Sequence, residues 1–210
     1  MRPLARLHAV TDEAILARED LEVLATAIAS PGPAVALHAR GHSLGGAALA
    51  AVAQRFLALA RASEAAVFVN GRADIARALG AQGLHLGAGD LMVQDARLVL
   101  GPTWRGWIGR SVHSVEAAIQ AREEGADYLM AGNVYETTSH PGRPAKGVEL
   151  ITRVAELGLP VIAIGGITAE RAVRLKQAGA YGVAALSALW LATDPAGAAL
   201  ELLRPWREET

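Results

Sequence analysis

Short apolar runs alternate with helix-period segments along the whole chain. The runs cover Leu7–Val10, Ala34–His38, Ala66–Val69, Gly83–Leu86, Trp107–Ser111, Tyr128–Ala131, Pro160–Ile164 and Gly182–Leu186. They are largely continuous in apolar character rather than strictly alternating, which is the pattern of strands covered on both faces, as parallel strands are. Between them, helical periodicity spans Asp20–Ala29, Leu44–Ala62, Arg72–Leu79, Val93–Leu100, Val115–Glu124, Val148–Leu157, Ala169–Ala178 and Pro195–Leu203. Eight strand–helix units in series predict an α/β fold, a closed (β/α)8 TIM barrel forming a single domain over residues 1–210. An open, doubly wound sheet is the rival. It places a glycine-rich phosphate turn after its first strand, where this chain has His8-Ala9-Val10-Thr11-Asp12 and no glycine.

A faint internal repeat fits the barrel. LGAQGLHLG, EGADYLMAG, LGLPVIAIGG and AGAYGVAALS each set a glycine at a helix stop just before a strand. The last two units carry the sharpest signal. VIAIGGI delivers Gly165 and Gly166 to the carboxyl end of one strand, and VAALS delivers Ala185 and Ser187 to the end of the next. Bare backbone amides beside the start of a helix hold anions, and the loops after the last two strands are the usual phosphate site of such a barrel. Gly165, Gly166, Ala185 and Ser187 are therefore the expected phosphate-binding residues.

Composition narrows the function. The chain has 210 residues, 52% of them hydrophobic, with a formal net charge of −1 and no cysteine. A near-neutral surface offers no general field for nucleic acid or an anionic membrane, so any anion must be bound locally. The absence of cysteine removes disulfides, thiolate nucleophiles and cysteine metal sites. MRPLARLHAVTDEA lacks the apolar core of a signal peptide, and every apolar stretch is interrupted well short of a membrane span. A cytoplasmic protein without membrane or nucleic-acid partners is expected, pairing with copies of itself.

Chemistry in a barrel sits at the carboxyl ends of the strands. Those ends present His38 and Arg40, then Asn70, then His85 and Asp90, then Ser111 and His113, then the long segment from Asn133 to Lys146, and finally the glycine and serine loops. Histidine titrates near neutral pH, which makes His38 at its strand end and His140 on the long loop the first acid–base candidates. Arg40 has the forked donor geometry that meets a carboxylate or phosphate. His85 lies inside an apolar run and reads as a packed core residue; His8 is placed to face the same cavity.

Taken jointly, HAVTD, VNGRAD, GLHLG, IGRSVHS, ADY, GNVYET and VIAIGGIT…VAALSAL resemble the thiamine phosphate synthase/TenI superfamily over almost the whole chain. The resemblance implies a protein of thiamine biosynthesis binding a thiazole phosphate. Thiamine phosphate synthases usually carry Asn-Asp after strand 3 and Gln-Asp-Asp or Gln-Glu-Asp after strand 4, groups that hold Mg2+ and the pyrophosphate of the pyrimidine substrate. Here those positions read Asn70-Gly71 and Ala88-Gly89-Asp90. Their strand-2 Gln-x-Arg-x-Lys appears as Ala36-Leu37-His38-Ala39-Arg40, which keeps one cation and loses the glutamine, and their Thr-x-Thr-Lys-Lys as Thr137-Thr138-Ser139-His140-Pro141.

Those departures lean toward the TenI arm, a thiazole tautomerase that shifts a proton to aromatise a carboxythiazole phosphate and needs no metal. On that reading no cofactor is required, and Mg2+ enters only for the synthase alternative. The resemblance places Asn133 where the tautomerase has its catalytic histidine, so His38 and His140 are the expected replacements, with Asn133 orienting. Arg40, Asn70, Ser111, His113 and Ser139 are the expected substrate contacts. A synthase coupling hydroxymethylpyrimidine pyrophosphate to thiazole phosphate, and a non-catalytic binder of thiazole or thiamine phosphate, are the alternatives.

Overall fold

In a computed structural model, which describes residues 2–137, 142 and 144–207, eight strands close into a barrel in sequence order. They are β1 (Leu7–Val10), β2 (Val35–Ala39), β3 (Ala66–Asn70), β4 (Gly83–Leu86), β5 (Trp107–Val112), β6 (Tyr128–Gly132), β7 (Val161–Ile164) and β8 (Gly182–Ala185). Every neighbouring pair is parallel, and β8 returns to pair with β1. All eight strands fall within a residue or so of the expected runs, and the single-domain barrel stands.

The strands divide their side chains between two cores. Leu7, Ala9, Val35, Leu37, Val67, Val69, Leu84 and Ile108 point outward into the layer of helices. Ala36, Phe68, Tyr128, Met130, Ile162 and Ala184 fill the barrel itself. Two glycines make the inner filling possible. A Cβ on Gly83 would collide with the Phe68 ring and one on Gly109 with the Tyr128 ring, so each large aromatic lies over its neighbour's bare backbone. Such alternation of large and small residues is how a small barrel is filled.

Helix boundaries follow local chemistry. Asp12, Ser114 and Thr168 cap their helices by accepting from the amides of Ile15, Ala117 and Arg171. The four glycines of the sequence repeat, Gly80, Gly125, Gly158 and Gly179, all have positive φ, the conformation in which glycine ends a helix without a Cβ penalty. Two short helices, Glu13–Leu16 and Ser187–Trp190, carry too few residues for periodicity to reveal, and the last helix runs to Arg207 rather than Leu203. No described helix is long and apolar enough to cross a membrane.

Candidate active site at the carboxyl rim of the barrel

The first arc of the rim is built from side chains. His8, His38 and His85 are all buried, at 0%, 0% and 3% exposure. They join in two chains of hydrogen bonds. In one, His8 bonds the Ala5 carbonyl through Nε2 at 3.1 Å and His38 Nε2 through Nδ1 at 2.8 Å, and His38 Nδ1 lies 2.9 Å from Asn70 Oδ1. In the other, His85 joins Tyr128 Oη at 3.0 Å to Ser111 Oγ at 2.8 Å. Burial dominates their electrostatics. It holds His38 down to about 4 and His8 and His85 well below the ordinary histidine range, with neighbouring positive charge adding to the effect.

His38 therefore does not stand at the mouth as expected. It lies beneath Asn70 with both ring nitrogens engaged, and it reaches the rim only through that amide. His8 faces the same interior, and His85 is the packed core histidine the sequence indicated.

Above this layer Thr11 ties β1 to β2, its hydroxyl contacting the carbonyls of His38 and Arg40 at 2.8 Å each. The Arg40 guanidinium in turn donates to the Thr11 carbonyl at 3.0 Å and bonds His42. Its burial lowers its proton affinity, and the charges of Glu13, Asp12 and Asp90 oppose that effect. Asp90 lies on the loop after β4, beside the end of β3. Its carboxylate accepts the Gly87 amide at 2.6 Å and packs against Gly71, where a Cβ would sit 3.0 Å from Oδ1. Arg40, Asn70 and Asp90 thus share one stretch of rim, with Ser111 beside them on β5.

The opposite arc is built from main chain. Gly165 and Gly166 have φ of +104° and +62°. The space over them is filled by the loop after β6: a Cβ on Gly165 would lie 2.7 Å from Asn133 Cα, and one on Gly166 would lie 2.9 Å from Tyr135 Cβ. The amides of Val134 and Tyr135 donate to the carbonyls of Ile164 and Gly165, and Lys146 and Gly147 return to donate to Asn133 and Val134. Arg171 closes the bracket, donating to the Gly166 carbonyl at 2.5 Å with its guanidinium 4.3 Å from the Tyr135 ring centre. These glycines, expected to bind phosphate, also let the β6 loop approach their backbone. Next to them Ala185 ends β8 and Ser187 begins the short helix that follows.

Asn133 lies half-buried over Gly165 with its side chain directed at the Tyr135 carbonyl, 3.5 Å away. His113 is exposed just past β5 and donates from Nδ1 to the Gly132 carbonyl at 2.5 Å, which brings a titratable ring next to Asn133. Ser139 and His140 lie outside the described residues. Sequence reasoning gave little weight to His8 and none to Thr11. Strand parity was the available signal, since His8 shares the inward register of Ala36 and Ala184.

The match to the thiamine monophosphate synthase family extends over residues 7–189. The chain belongs to that family. Among its relatives, the thiamine-phosphate synthase of Thermus thermophilus is 44% identical over 154 residues, covering 72% of this chain and 73% of the relative. That of Salinispora tropica is 40% identical over 206 residues, or 97% and 98% of the two chains. A solved structure of thiamine phosphate pyrophosphorylase from Pyrococcus furiosus superposes with a TM-score of 0.81 at 29% identity, covering 97% and 96%. The resemblance read from the motifs is thereby borne out at the level of the family, while these relatives carry the synthase name rather than the tautomerase one.

Proposed function

We propose that this family member is a transferase that couples hydroxymethylpyrimidine pyrophosphate to a thiazole phosphate with release of pyrophosphate. One observation carries the reading at the site: Arg40 after β2 and the Asp90 carboxylate packed against Gly71 lie on the same stretch of rim on either side of Asn70, near enough for the charge of Asp90 to act on Arg40. A cation and a carboxylate there suit a leaving pyrophosphate and its metal ion. The full-length likeness to named synthases favours the same chemistry.

Mg2+ demands little protein. It keeps several waters and is held by one or two carboxylates together with substrate phosphates. Asp90 offers one such carboxylate, and Gly71, at φ +74°, holds no second. No group of three or more ligating side chains occurs among the described residues. The fit is that of a one-carboxylate site, with Asp90 as the holding residue. The ion, when bound, would neutralise charge gathering on the departing pyrophosphate.

The chain's own residues do the rest. Arg40 is held by Thr11 with its guanidinium at the rim, so it meets leaving-group oxygens in a fixed orientation. Ser111, backed by His85, supplies a hydroxyl on the same side. Main-chain amides at the ends of β7 and β8, at Gly165, Gly166, Ala185 and Ser187, offer the anchor for the thiazole phosphate, so the reacting halves enter from different arcs of the rim. The neutral histidine layer beneath keeps competing positive charge out of the barrel floor.

The second reading, thiazole tautomerase, draws on Gly71 and on His113. One metal carboxylate is absent, and a titratable ring lies beside the Asn133 position. The test supplies purified protein with both synthase substrates and Mg2+, following pyrophosphate and thiamine phosphate, and in parallel supplies the unrearranged carboxythiazole phosphate alone. The synthase reading expects product in the first assay and, for Asp90→Asn, a fall of about 100-fold in kcat/KM, typical of losing one charge-stabilising group. Aromatisation without coupling, abolished in His113→Ala, replaces it with the tautomerase. Silence in both assays with retained thiazole phosphate binding leaves a non-catalytic binder.

A further inference from the structure

We propose that His8 and His38 are positioning residues that hold the Asn70 carboxamide with its NH2 toward His38 and its oxygen toward the barrel mouth, making Asn70 a hydrogen-bond acceptor for an N–H donor on the substrate. The inference follows from counting protons along the buried chain. The Ala5 carbonyl can only accept, so the 3.1 Å contact requires the N–H of His8 to be on Nε2. A neutral imidazole has one N–H, which leaves His8 Nδ1 as a lone pair. His38 must then place its own N–H on Nε2 to make the 2.8 Å bond. His38 Nδ1 is left as a lone pair; the atom 2.9 Å from it is Asn70 Oδ1, which cannot donate, so the contact is a hydrogen bond only with the carboxamide nitrogen in that place.

Half a turn of the carboxamide about its last bond exchanges oxygen and nitrogen at that contact, and the orientation is settled by the hydrogen-bond network. With oxygen toward His38, the pair would need one extra proton. The surroundings oppose that proton. His8 and His38 have no exposed surface and are packed by the rings of Phe68, His85 and Tyr128, and the charge of Arg40 acts on His38 and repels a second positive charge. Burial keeps both rings neutral at pH 7.

A carbonyl oxygen at the rim repels phosphate oxygens and accepts from an amine. On the coupling reaction proposed above, on which this assignment of the ligand rests, the donor is the amino group of the pyrimidine half, while Arg40 takes the pyrophosphate. The orientation itself rests on the hydrogen bonds and on the burial that keeps both rings neutral, and not on that reaction.

The test is nuclear magnetic resonance on the uniformly 15N-labelled protein without substrate at pH 7. Long-range 1H–15N spectra are expected to show His8 and His38 as Nε2–H tautomers. One downfield, slowly exchanging side-chain N–H is expected to vanish in Asn70→Asp. An Nδ1–H tautomer or an imidazolium at either ring overturns the proposal, whatever the protein turns over. Kinetics then read the consequence: His38→Leu, which leaves the amide unheld, is expected to raise KM for the pyrimidine substrate about tenfold with kcat little changed, and His38→Gln to recover most of it. Equal KM in wild type and His38→Leu overturns the positioning role; absence of turnover in every variant and in wild type overturns the coupling reaction and leaves the spectra to decide the orientation.

Discussion

The two arcs of the rim are made of different material. Around β1 to β4 the site is a set of polar side chains: a histidine layer sealed from water and hydrogen-bonded up to Asn70, with Arg40 and the exposed Asp90 held above it by main-chain groups. Around β6 to β8 it is backbone, shaped by two left-handed glycines under a loop that is itself pinned by main-chain bonds. The first arc is vulnerable to protonation and to loss of a partner, because a buried polar group left unpaired costs its full desolvation. The second is indifferent to most side-chain changes and intolerant of an added Cβ.

The sharpest way to break that contrast is Gly165→Ala. The new methyl meets Asn133 Cα and Cβ at 2.7 Å on a backbone at φ +104°, where an L-residue is strained. Overpacking plus strain is expected to cost about 3 kcal/mol or more, a drop in Tm of roughly 10 °C for a domain of this size. Thermal unfolding of the variant checks it. A loss below about 1 kcal/mol would mean the β6 loop yields easily and the second arc is soft.

Acid should strike the first arc instead. His38 is held at about 4, against 6.5 when unfolded. Between those values the unfolded chain binds a proton that the folded one does not, so stability falls as pH drops from about 6.5 to about 4 and levels off below. From His38 alone the loss is about 3 kcal/mol, and His8 and His85 act in the same direction. Urea midpoints measured between pH 7 and pH 4 follow the slope, and His38→Gln is expected to flatten it. An unchanged slope in that variant would move the acid sensitivity elsewhere, for example to Glu13, held at about 2 by Ser43, whose loss begins only near the ordinary carboxylate range.

Third in size is Arg40→Lys. The charge is kept, but the fork that reaches Thr11 and His42 is lost, so the ammonium is no longer held at the rim. We expect kcat/KM to fall ten- to a hundredfold, about 1 to 3 kcal/mol, with stability changed by less than about 1 kcal/mol. Steady-state kinetics on the coupling reaction check it, and wild-type kcat/KM would show that a point charge suffices.

The barrel was legible because continuous apolar runs and helix-stop glycines repeat with little interruption, and Gly80, Gly125, Gly158 and Gly179 do what their spacing implied. The site was legible by position and less so by role. Arg40, Asn70 and Ser111 stand at strand ends, as counting along the chain predicts. Which way a residue points within a strand depends on parity, and a one-residue choice decides between the helices and the barrel interior. Parity does not fix depth, however: His38 shares the inward register of Ala36, yet it read as a mouth residue and proved to be one layer down. The use of Gly165 and Gly166 was hidden for a different reason: a bare backbone invites any close neighbour, and nothing local distinguishes a phosphate from the loop after β6. The choice between family arms turns on a few rim positions, Gly71, Asp90 and Asn133 among them, and these weigh little against likeness spread over the whole chain.

The smallest effect expected is Ser187→Ala, and its smallness is the point. If the thiazole phosphate is anchored chiefly by main-chain amides at the ends of β7 and β8, the hydroxyl adds one hydrogen bond among several. Removing it costs about 1 kcal/mol, a rise of roughly fivefold in KM for the thiazole phosphate with kcat nearly unchanged. Stability should hardly move, because the half-buried hydroxyl sits in the first residue of a four-residue helix whose backbone is untouched. A rise of 100-fold or more would show that a side chain carries the anchor, and the second arc would then be built like the first.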